Sequence, residues 1–402
     1  MACDIVCSCP SSETQTFQGQ VPTSSHLHCI AQHTATNIPR SAQNMETSTT
    51  TVRPHPTILG QVTKLSTIDQ IAPRDFVATY FFFPLPDGTD KLALFRHIEH
   101  GFYTTVQQIP DLMCCICKSD GDRDELELRL HGDSGATISM RDYTNSREHQ
   151  WSPGSFDDLK RDHFPLQSLP QEHVLAQTEF PGQVCLPTLA MQANFIQGGL
   201  ILTGCLHVSL SSCNVELQLI DRLQHTVCDG TGNLVFYSIL AQHISAATTG
   251  QVPDPLTDSA ISFLDRKSVI NPEADVLLGD FPDWKLVQDH DAFLNPCDYD
   301  PTKSPPVQFA TYFASEEKLR LLKQSQATEL GKAPNSTEAV CAFLWKHVVN
   351  ARGTDCAKYP ETKLSITVNT RGRMKNPICS PAYWGNLSEP NAVSTAFVKA
   401  SA

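Results

Sequence analysis

The sequence lacks the features that mark membrane, secreted and nucleic-acid-binding proteins. It has no apolar run near the roughly 20 residues of a membrane-spanning helix, and residues 1–12 lack the charged start and apolar block of a secretion signal. Its 30 Lys and Arg are scattered and are outnumbered by 43 Asp and Glu, giving a net charge of -13. We therefore expect a cytoplasmic protein with neither a nucleic acid nor a membrane as partner.

Cysteine is plentiful, but its spacing is not that of a metal site or a disulfide framework. The chain has 15 Cys, and no two Cys-x-x-Cys units stand at the spacing of a zinc site. The densest internal cluster lies at residues 114–117 and offers too few ligands for a metal. We expect reduced, mostly buried thiols and no bound metal.

The 402 residues are enough for two lobes, each with its own core. Residues 1–55 are rich in Ser, Thr, Gln and His, which predicts a disordered leader. An N-terminal lobe is predicted over residues 56–250, a crossover segment rich in Pro and acidic residues over 251–306, and a C-terminal lobe over 307–402. A monomer is the default expectation for such a chain.

Strand and helix patterns alternate along the chain. Apolar or alternating runs predict strands at residues 76–83, 126–130, 199–204, 309–313 and 364–368. Apolar residues recur at helical spacing from Leu92, after Gly232, after Ser315 and after Asn335 or Ser336, and predict four helices. Ser315 and either Asn335 or Ser336 are the expected N-terminal caps of the last two helices. This alternation predicts an α/β or α+β protein with mixed sheets.

One short motif can carry chemistry. His225 and Asp229 stand four residues apart, followed by Gly230, just before a predicted amphipathic helix. An imidazole on such a loop has an unperturbed pKa near 6.5 and can accept a proton from a hydroxyl or amine. By itself the motif also fits a His and an Asp on a surface turn.

Five ordered segments together resemble the BAHD-type acyltransferases, a coenzyme A-dependent family, and in particular its fungal natural-product branch. The segments are 65–70, 197–202, 225–230, 336–345 and 368–373, the last with 383–386. The resemblance spans roughly residues 55 to 390. It implies a two-lobed fold like that of chloramphenicol acetyltransferase, with mixed sheets, and an acyl-CoA co-substrate without a permanently bound cofactor.

The resemblance also implies roles for individual residues. His225 is expected to be the general base that deprotonates the acceptor, while Asp229 acts as a structural brace paired with Arg371. Gly230 is expected to let the backbone turn beside the acceptor, and Cys228 to pack without acting as a nucleophile. Alternatively, Arg371 is a solvated cation at a strand end and Gly230 an ordinary helix-entry glycine. Residues that bind coenzyme A lie on loops that the sequence alone does not place.

The chain departs from the family pattern in two places. Family members usually have a second His directly before the catalytic one, whereas here the 17 residues 208–224 separate His207 from His225. We interpret this segment as a retained intron, with a genuine surface insertion as the alternative; sequencing the transcript distinguishes them. The family's Asp-Phe-Gly-Trp-Gly motif is also missing from the C-terminal part, which predicts an incomplete, truncated second lobe.

The resemblance predicts an acyl-CoA-dependent O-acyltransferase, in particular an O-acetyltransferase. Its partners are expected to be acyl-CoA and a small-molecule acceptor, a hydroxyl of a secondary metabolite such as a terpenoid or polyketide. A first alternative is a catalytically impaired or dead binding protein, because of residues 208–224 and the missing motif. A second is a metal-dependent hydrolase that uses His225, Asp229 and either His207 or His243.

Overall fold

We describe the fold from a computed structural model. The described residues are 4–8, 48–71, 77–120, 125–144, 151–176, 186–206, 227–251, 266–269, 312, 314–353, 361–373 and 383–396. Within these residues the chain forms two compact units. The first contains Met1–Phe309 and Thr370–Leu387, and the second contains Ala310–Asn369 and Ser388–Ala402.

The described elements include twelve strands and seven α-helices. The strands are β1 (Asp4–Ser8), β2 (Ser48–Val52), β3 (Val62–Lys64), β4 (Val77–Pro84), β5 (Cys115–Lys118), β6 (Leu126–Arg129), β7 (Ala136–Asp142), β8 (Leu186–Pro187), β9 (Ala190–Ile196), β10 (Gly199–Leu206), β11 (Glu361–Asn369) and β12 (Ser388–Ala396). The helices are α1 (Thr67–Ile71), α2 (Lys91–Gln108), α3 (Phe156–Arg161), α4 (Gln171–Val174), α5 (Gly230–Thr249), α6 (Glu316–Leu330) and α7 (Ser336–Ala351). No helix among the described residues is both long and apolar enough to span a membrane.

The first unit contains a mixed six-stranded sheet with the order β1-β4-β10-β9-β7-β2. All neighbouring strands in this sheet are antiparallel to each other, except β7 and β9, which are parallel. The connection between β7 and β9 includes α3 and α4. A second, antiparallel sheet has the order β3-β6-β5-β8. The α/β class with mixed sheets, predicted from the alternating patterns, is confirmed.

The central strands of the six-stranded sheet are buried on both faces. Along β4, Phe81 belongs to one hydrophobic core, while its neighbours Tyr80 and Phe82 belong to another. Successive side chains of a strand point to opposite faces, so both faces of this sheet are covered. This explains why β4 and β10 read as continuous apolar runs.

Helices α2 and α5 pack against each other beside this sheet. The side chain of Asp90 accepts a hydrogen bond from Ala93 N and begins α2, whose buried face includes Phe95, Ile98 and Phe102. The contact is close because one residue of α2, Gly101, has no side chain: a Cβ there would lie 2.6 to 2.9 Å from Cγ1, N and Cα of Ile244 in α5.

The second unit contains α6, α7 and the antiparallel pair β11 and β12. The caps predicted from the sequence are present. Ser315 accepts a hydrogen bond from Lys318 N, and Asn335 forms a reciprocal capping box with Glu338. Trp345 Nε1 donates to Thr362 Oγ1 at 3.1 Å and joins α7 to β11.

Some predicted elements differ from the structure or lie outside it. Most of the predicted leader, residues 1–55, lies outside the described residues, but β1 and β2 fall within it and pair with β4 and β7. Of the strand predicted at 309–313 only Tyr312 is described, and of the crossover segment only Gln251 and residues 266–269. The alternating run at residues 126–130 is typical of a half-exposed strand, but in β6 even Glu127 is buried.

The cysteines differ from the expectation at one position. Cys114, Cys115, Cys228 and Cys341 are free thiols. Cys117 is disulfide-bonded, so the prediction of reduced thiols is wrong there. Counting Cys-x-x-Cys units does not detect a single pair of thiols that folding brings together.

Candidate active site

Residues 227–229 lead directly into α5, and Asp229 caps this helix. The backbone of Asp229 is extended (φ -84°, ψ -179°), and its Oδ1 accepts a hydrogen bond from Gly232 N at 2.9 Å. An Asp in this position satisfies one of the unpaired amides of the first helical turn. This capping role of Asp229 was not predicted from the sequence.

Asp229 and Arg371 form a buried, two-pronged ion pair within the first unit. Arg371 Nη1 donates to Asp229 Oδ2 and Nη2 donates to Asp229 Oδ1, both at 2.8 Å. Both residues are buried, and Leu387 N donates a further bond to Oδ2 at 2.9 Å. Burial alone would raise the pKa of Asp229, but Arg371 and the amides of Gly232 and Leu387 lower it below its usual range.

Residues 383–387 hold both members of this pair. Arg371 Nε donates to Tyr383 O at 3.0 Å, and its Nη2 donates to Gly385 O at 2.7 Å. Asp229 N donates to the same Gly385 carbonyl at 3.3 Å. The loop that precedes α5 and the segment 383–387 are therefore locked together by backbone and guanidinium hydrogen bonds.

A second buried ion pair, which the sequence analysis missed, lies in the same region. Arg266 Nη1 donates to Asp69 Oδ2 at 2.7 Å, and both side chains are almost fully buried. Asp69 Oδ2 also accepts bonds from Ser66 N and Oγ at 2.8 Å, while Oδ1 accepts from Asn386 N at 2.8 Å and Nδ2 at 3.0 Å. Asp69 lies within the motif at residues 65–70, but its partner is 197 residues away in a segment without regular pattern.

Arg266 also reaches the loop that precedes α5. Its Nη2 donates to Val227 O at 2.8 Å and lies 3.4 Å from Asp111 Oδ2. Burial disfavours the Arg266 cation, but Asp69 and Asp111 outweigh it and raise its pKa. Arg266 is therefore charged and binds the main chain two residues before Asp229.

Only some of the predicted site residues lie within the described part of the chain. His225 and His207 lie outside the described residues, as does the segment 208–224. Gly230 is the first residue of α5, and a Cβ there would meet nothing within 4 Å, whereas at Gly232 a Cβ would lie 2.8 Å from Cβ of Cys228. Packing thus requires glycine at position 232 and leaves position 230 open.

The His243 form of the metal-site alternative does not fit the structure. Asp229 directly precedes α5 and His243 lies well inside the same continuous helix, roughly 20 Å away at 1.5 Å per residue. Metal ligands must lie within a few ångströms of one ion, so this pair cannot share one. Among the described residues, no group of three or more His, Cys, Asp or Glu could hold a metal ion.

His243 makes the stability of the α2–α5 contact dependent on pH. His243 is 5% exposed, and its Nε2 lies 3.0 Å from Oε1 of Gln108 in α2. Burial, with a smaller contribution from the nearby His100, lowers the pKa of His243 below the ordinary value of 6.5. The unfolded chain therefore binds this proton at higher pH than the folded chain, and stability decreases as the pH falls through about 6.5.

We expect His243→Gln to remove part of this acid sensitivity. The free energy of unfolding, measured by urea titration at about pH 7 and about pH 5, should fall less in this variant than in the unmodified chain. His55→Gln, at an exposed position, is the control and should retain the full decrease. An equal decrease in both variants contradicts the assignment.

Two family models match the chain, and together they run from residue 76 to residue 401. The Transferase family model matches residues 219–401, and the model of a trichothecene 3-O-acetyltransferase-like N-terminal domain matches residues 76–244. The two matches overlap over residues 219–244, which contain the motif at 225–230. Both matches thus include this motif.

Several similar curated proteins are fungal acyltransferases. The acyltransferase cm3D of Cordyceps militaris is 29% identical over 366 residues, covering 85% of this chain and 71% of the relative. The acyltransferase easC of Emericella nidulans is 27% identical over 341 residues, covering 82% and 67%. The eremophilane O-acetyltransferase ORF8 of Penicillium roqueforti is 23% identical over 366 residues, covering 82% and 70%.

Solved structures share the fold. The TRI101 structure of F. graminearum with ethyl coenzyme A has a TM-score of 0.59 at 16% identity, covering 84% of this chain and 70% of that one. The F. sporotrichioides TRI101 structure with coenzyme A and T-2 has a TM-score of 0.57 at 20% identity, covering 84% and 69%. These likenesses confirm the predicted acyltransferase fold. The two family matches and the fungal relatives confirm the predicted resemblance to the fungal BAHD-type acyltransferases.

Proposed function

We propose that this chain transfers an acetyl group from acetyl-CoA to a hydroxyl of a small secondary metabolite, such as a terpenoid or polyketide. Support comes from relatives: one is named an eremophilane O-acetyltransferase, and TRI101 has been solved with coenzyme A and with T-2 or deoxynivalenol. We propose acyl-CoA as a co-substrate, with no permanently bound cofactor. We also propose that the protein is a cytoplasmic monomer.

In the proposed reaction, His225 takes the proton from the acceptor hydroxyl as its oxygen attacks the thioester carbonyl. The carbon–oxygen bond forms, the carbon–sulfur bond breaks, and the departing coenzyme A thiolate receives the proton from His225. Acceptor and acyl-CoA react directly in a ternary complex. This scheme needs no acyl-enzyme, and Cys228 suits it because burial raises the pKa of that thiol.

The proposal rests mainly on the burial and hydrogen bonding of the Asp229 carboxylate. Its carboxylate is buried, receives hydrogen bonds from Arg371, Gly232 and Leu387, and has a lowered pKa. Such a group is a poor proton acceptor at neutral pH and a good anchor. The proton-accepting role in the motif therefore falls to His225, four residues earlier, while Asp229 and Arg371 hold the loop that carries it.

The first test replaces the proposed base. We expect His225→Ala to reduce acetyl transfer by at least about a hundredfold, the usual contribution of general-base catalysis. The assay follows coenzyme A release, and mass spectrometry detects an added acetyl group on a panel of hydroxylated sesquiterpenes and polyketides. His55→Ala, an exposed histidine, is the matched control and should keep full activity. Most turnover surviving in His225→Ala would exclude this histidine as the base.

The second test addresses the 17 residues 208–224, which separate His207 from His225 in the sequence. A displacement of about 1 Å in a catalytic group can cost on the order of a hundredfold in rate. We therefore expect a chain without residues 208–224, in which His207 directly precedes His225, to turn over faster than the 402-residue chain. Equal rates contradict this expectation, and acyl-CoA binding without turnover in both chains favours the binding-protein alternative.

A further inference from the structure

The loop that precedes α5 is held at two points two residues apart. Arg371 binds the carboxylate of Asp229, and Arg266 binds the carbonyl of Val227 at 2.8 Å. A segment held at one point can still pivot, whereas two points also determine its direction. We propose that Asp69 and Arg266 are positioning residues, which aim His225 by fixing the Val227 carbonyl; this inference rests on the proposed function.

The anchor is itself rigid. Asp69 binds Arg266 through Oδ2 and the backbone and side chain of Asn386 through Oδ1. The guanidinium of Arg266 also lies over the ring of Trp384, 5.4 Å from its centroid. Asn386 directly precedes Leu387, whose amide binds Asp229. The two ion pairs are thus joined through residues 383–387 into one buried network.

Stability alone does not account for this second pair. Taking two charges out of water costs about as much as their attraction returns, so well-packed apolar residues in their place are often no less stable. What a guanidinium offers that an apolar side chain lacks is a set of N–H donors in fixed directions. Here one donor group meets Asp69 and another meets the Val227 carbonyl, which supports a geometric role for Arg266.

Arg266→Lys is the discriminating variant. Lysine keeps a positive charge near Asp69, but its single ammonium group does not reproduce the two-directional fork that also reaches Val227. The control is Leu159→Ala, which removes a buried side chain of α3 from the core on the other face of the sheet. Both changes lower the melting temperature, and only Arg266→Lys alters a contact of the loop.

The first readout is amide hydrogen exchange, which needs no substrate. In Arg266→Lys we expect exchange over residues 225–232 to become about tenfold faster than in Leu159→Ala, because a hydrogen bond to a charged group is lost. Measurements are made well below both melting temperatures. Equal exchange over residues 225–232 in the two variants overturns the proposal, whatever the activity.

The second readout is kinetic, with acetyl-CoA as the probe and coenzyme A thiol release as the signal. We expect kcat of Arg266→Lys to fall about a hundredfold with KM for acetyl-CoA unchanged, while Leu159→Ala keeps both values. If His225→Ala abolishes thiol release and Arg266→Lys does not reduce kcat, the positioning role is wrong and the proposed function stands. If exchange increases as expected but His225→Ala keeps its rate, the proposed function is wrong and only the anchoring of the loop stands.

Discussion

Replacing Arg371 by leucine should destabilise the first unit by about 3–5 kcal/mol, the usual cost of leaving a buried charge without its partner. The carboxylate of Asp229 would keep its amide donors, Gly232 and Leu387, but lose both guanidinium bonds. The free energy of unfolding from urea titration measures the effect. Arg161→Leu is the matched control, because Arg161 binds Asp158 at the surface, where water and salt screen the pair, and its loss should cost far less.

The pH dependence of this cost has a definite sign. The lowered pKa of Asp229 means that the ion pair stabilises the fold above the carboxyl's unfolded pKa and is lost as the pH falls through the folded pKa. Without Arg371, burial dominates and the carboxyl binds a proton at higher pH. The deficit of Arg371→Leu should therefore be largest at neutral pH and shrink in acid.

A double variant tests the same point. Asp229→Asn with Arg371→Leu removes both charges but keeps a capping side chain, so it should recover part of the stability lost in Arg371→Leu. If Arg371→Leu costs no more than Arg161→Leu, the buried pair does not have the energetic role assigned here.

Replacing Gly101 by alanine should cost about 2–3 kcal/mol, although alanine favours helices by about 1 kcal/mol. The new Cβ would lie 2.7 Å from the backbone N and 2.9 Å from Cα of Ile244, and backbone atoms cannot rotate away. Helices α2 and α5 would have to move apart and would lose contacts between their buried side chains. The free energy of unfolding should fall accordingly.

Two variants make this prediction specific. Gly132→Ala, where a Cβ meets nothing within 4 Å, should stay within about 0.5 kcal/mol of the unmodified chain. Ile244→Ala should not rescue Gly101→Ala, because it removes only the Cγ1 contact and leaves the two backbone contacts. Full rescue by Ile244→Ala, or a stabilising Gly101→Ala, contradicts the close backbone approach.

Much of the local structure follows from sequence patterns. The apolar runs of β4 and β10, the helical spacing of α2 and α5, and the caps Ser315 and Asn335 were predicted with errors of a few residues at element ends. Local structure of this kind depends on residues within one or two turns of each other. The α/β class follows from the alternation of these patterns.

The candidate site was predictable only in part. The motif of His225, Asp229 and Gly230 is local, and the pairing of Asp229 with Arg371 was expected from the family resemblance. Nothing in the sequence connected Asp69 with Arg266, since the latter lies in a segment without periodic pattern. The capping role of Asp229 could have been predicted, because an Asp directly before an apolar-periodic helix is a recognised start signal.

The sequence by itself determined which segments become strands and helices, where several helices begin, and which short motif can carry a base, because these depend on neighbours along the chain. Only the tertiary structure decided the order β1-β4-β10-β9-β7-β2, the close approach of α2 to α5, and the network joining Asp69, Arg266, Asp229 and Arg371 through residues 383–387. Its members lie up to 317 residues apart. Hydrogen bonds and buried charges act over a few ångströms of space, so partners so distant in sequence can be identified only once the chain has folded.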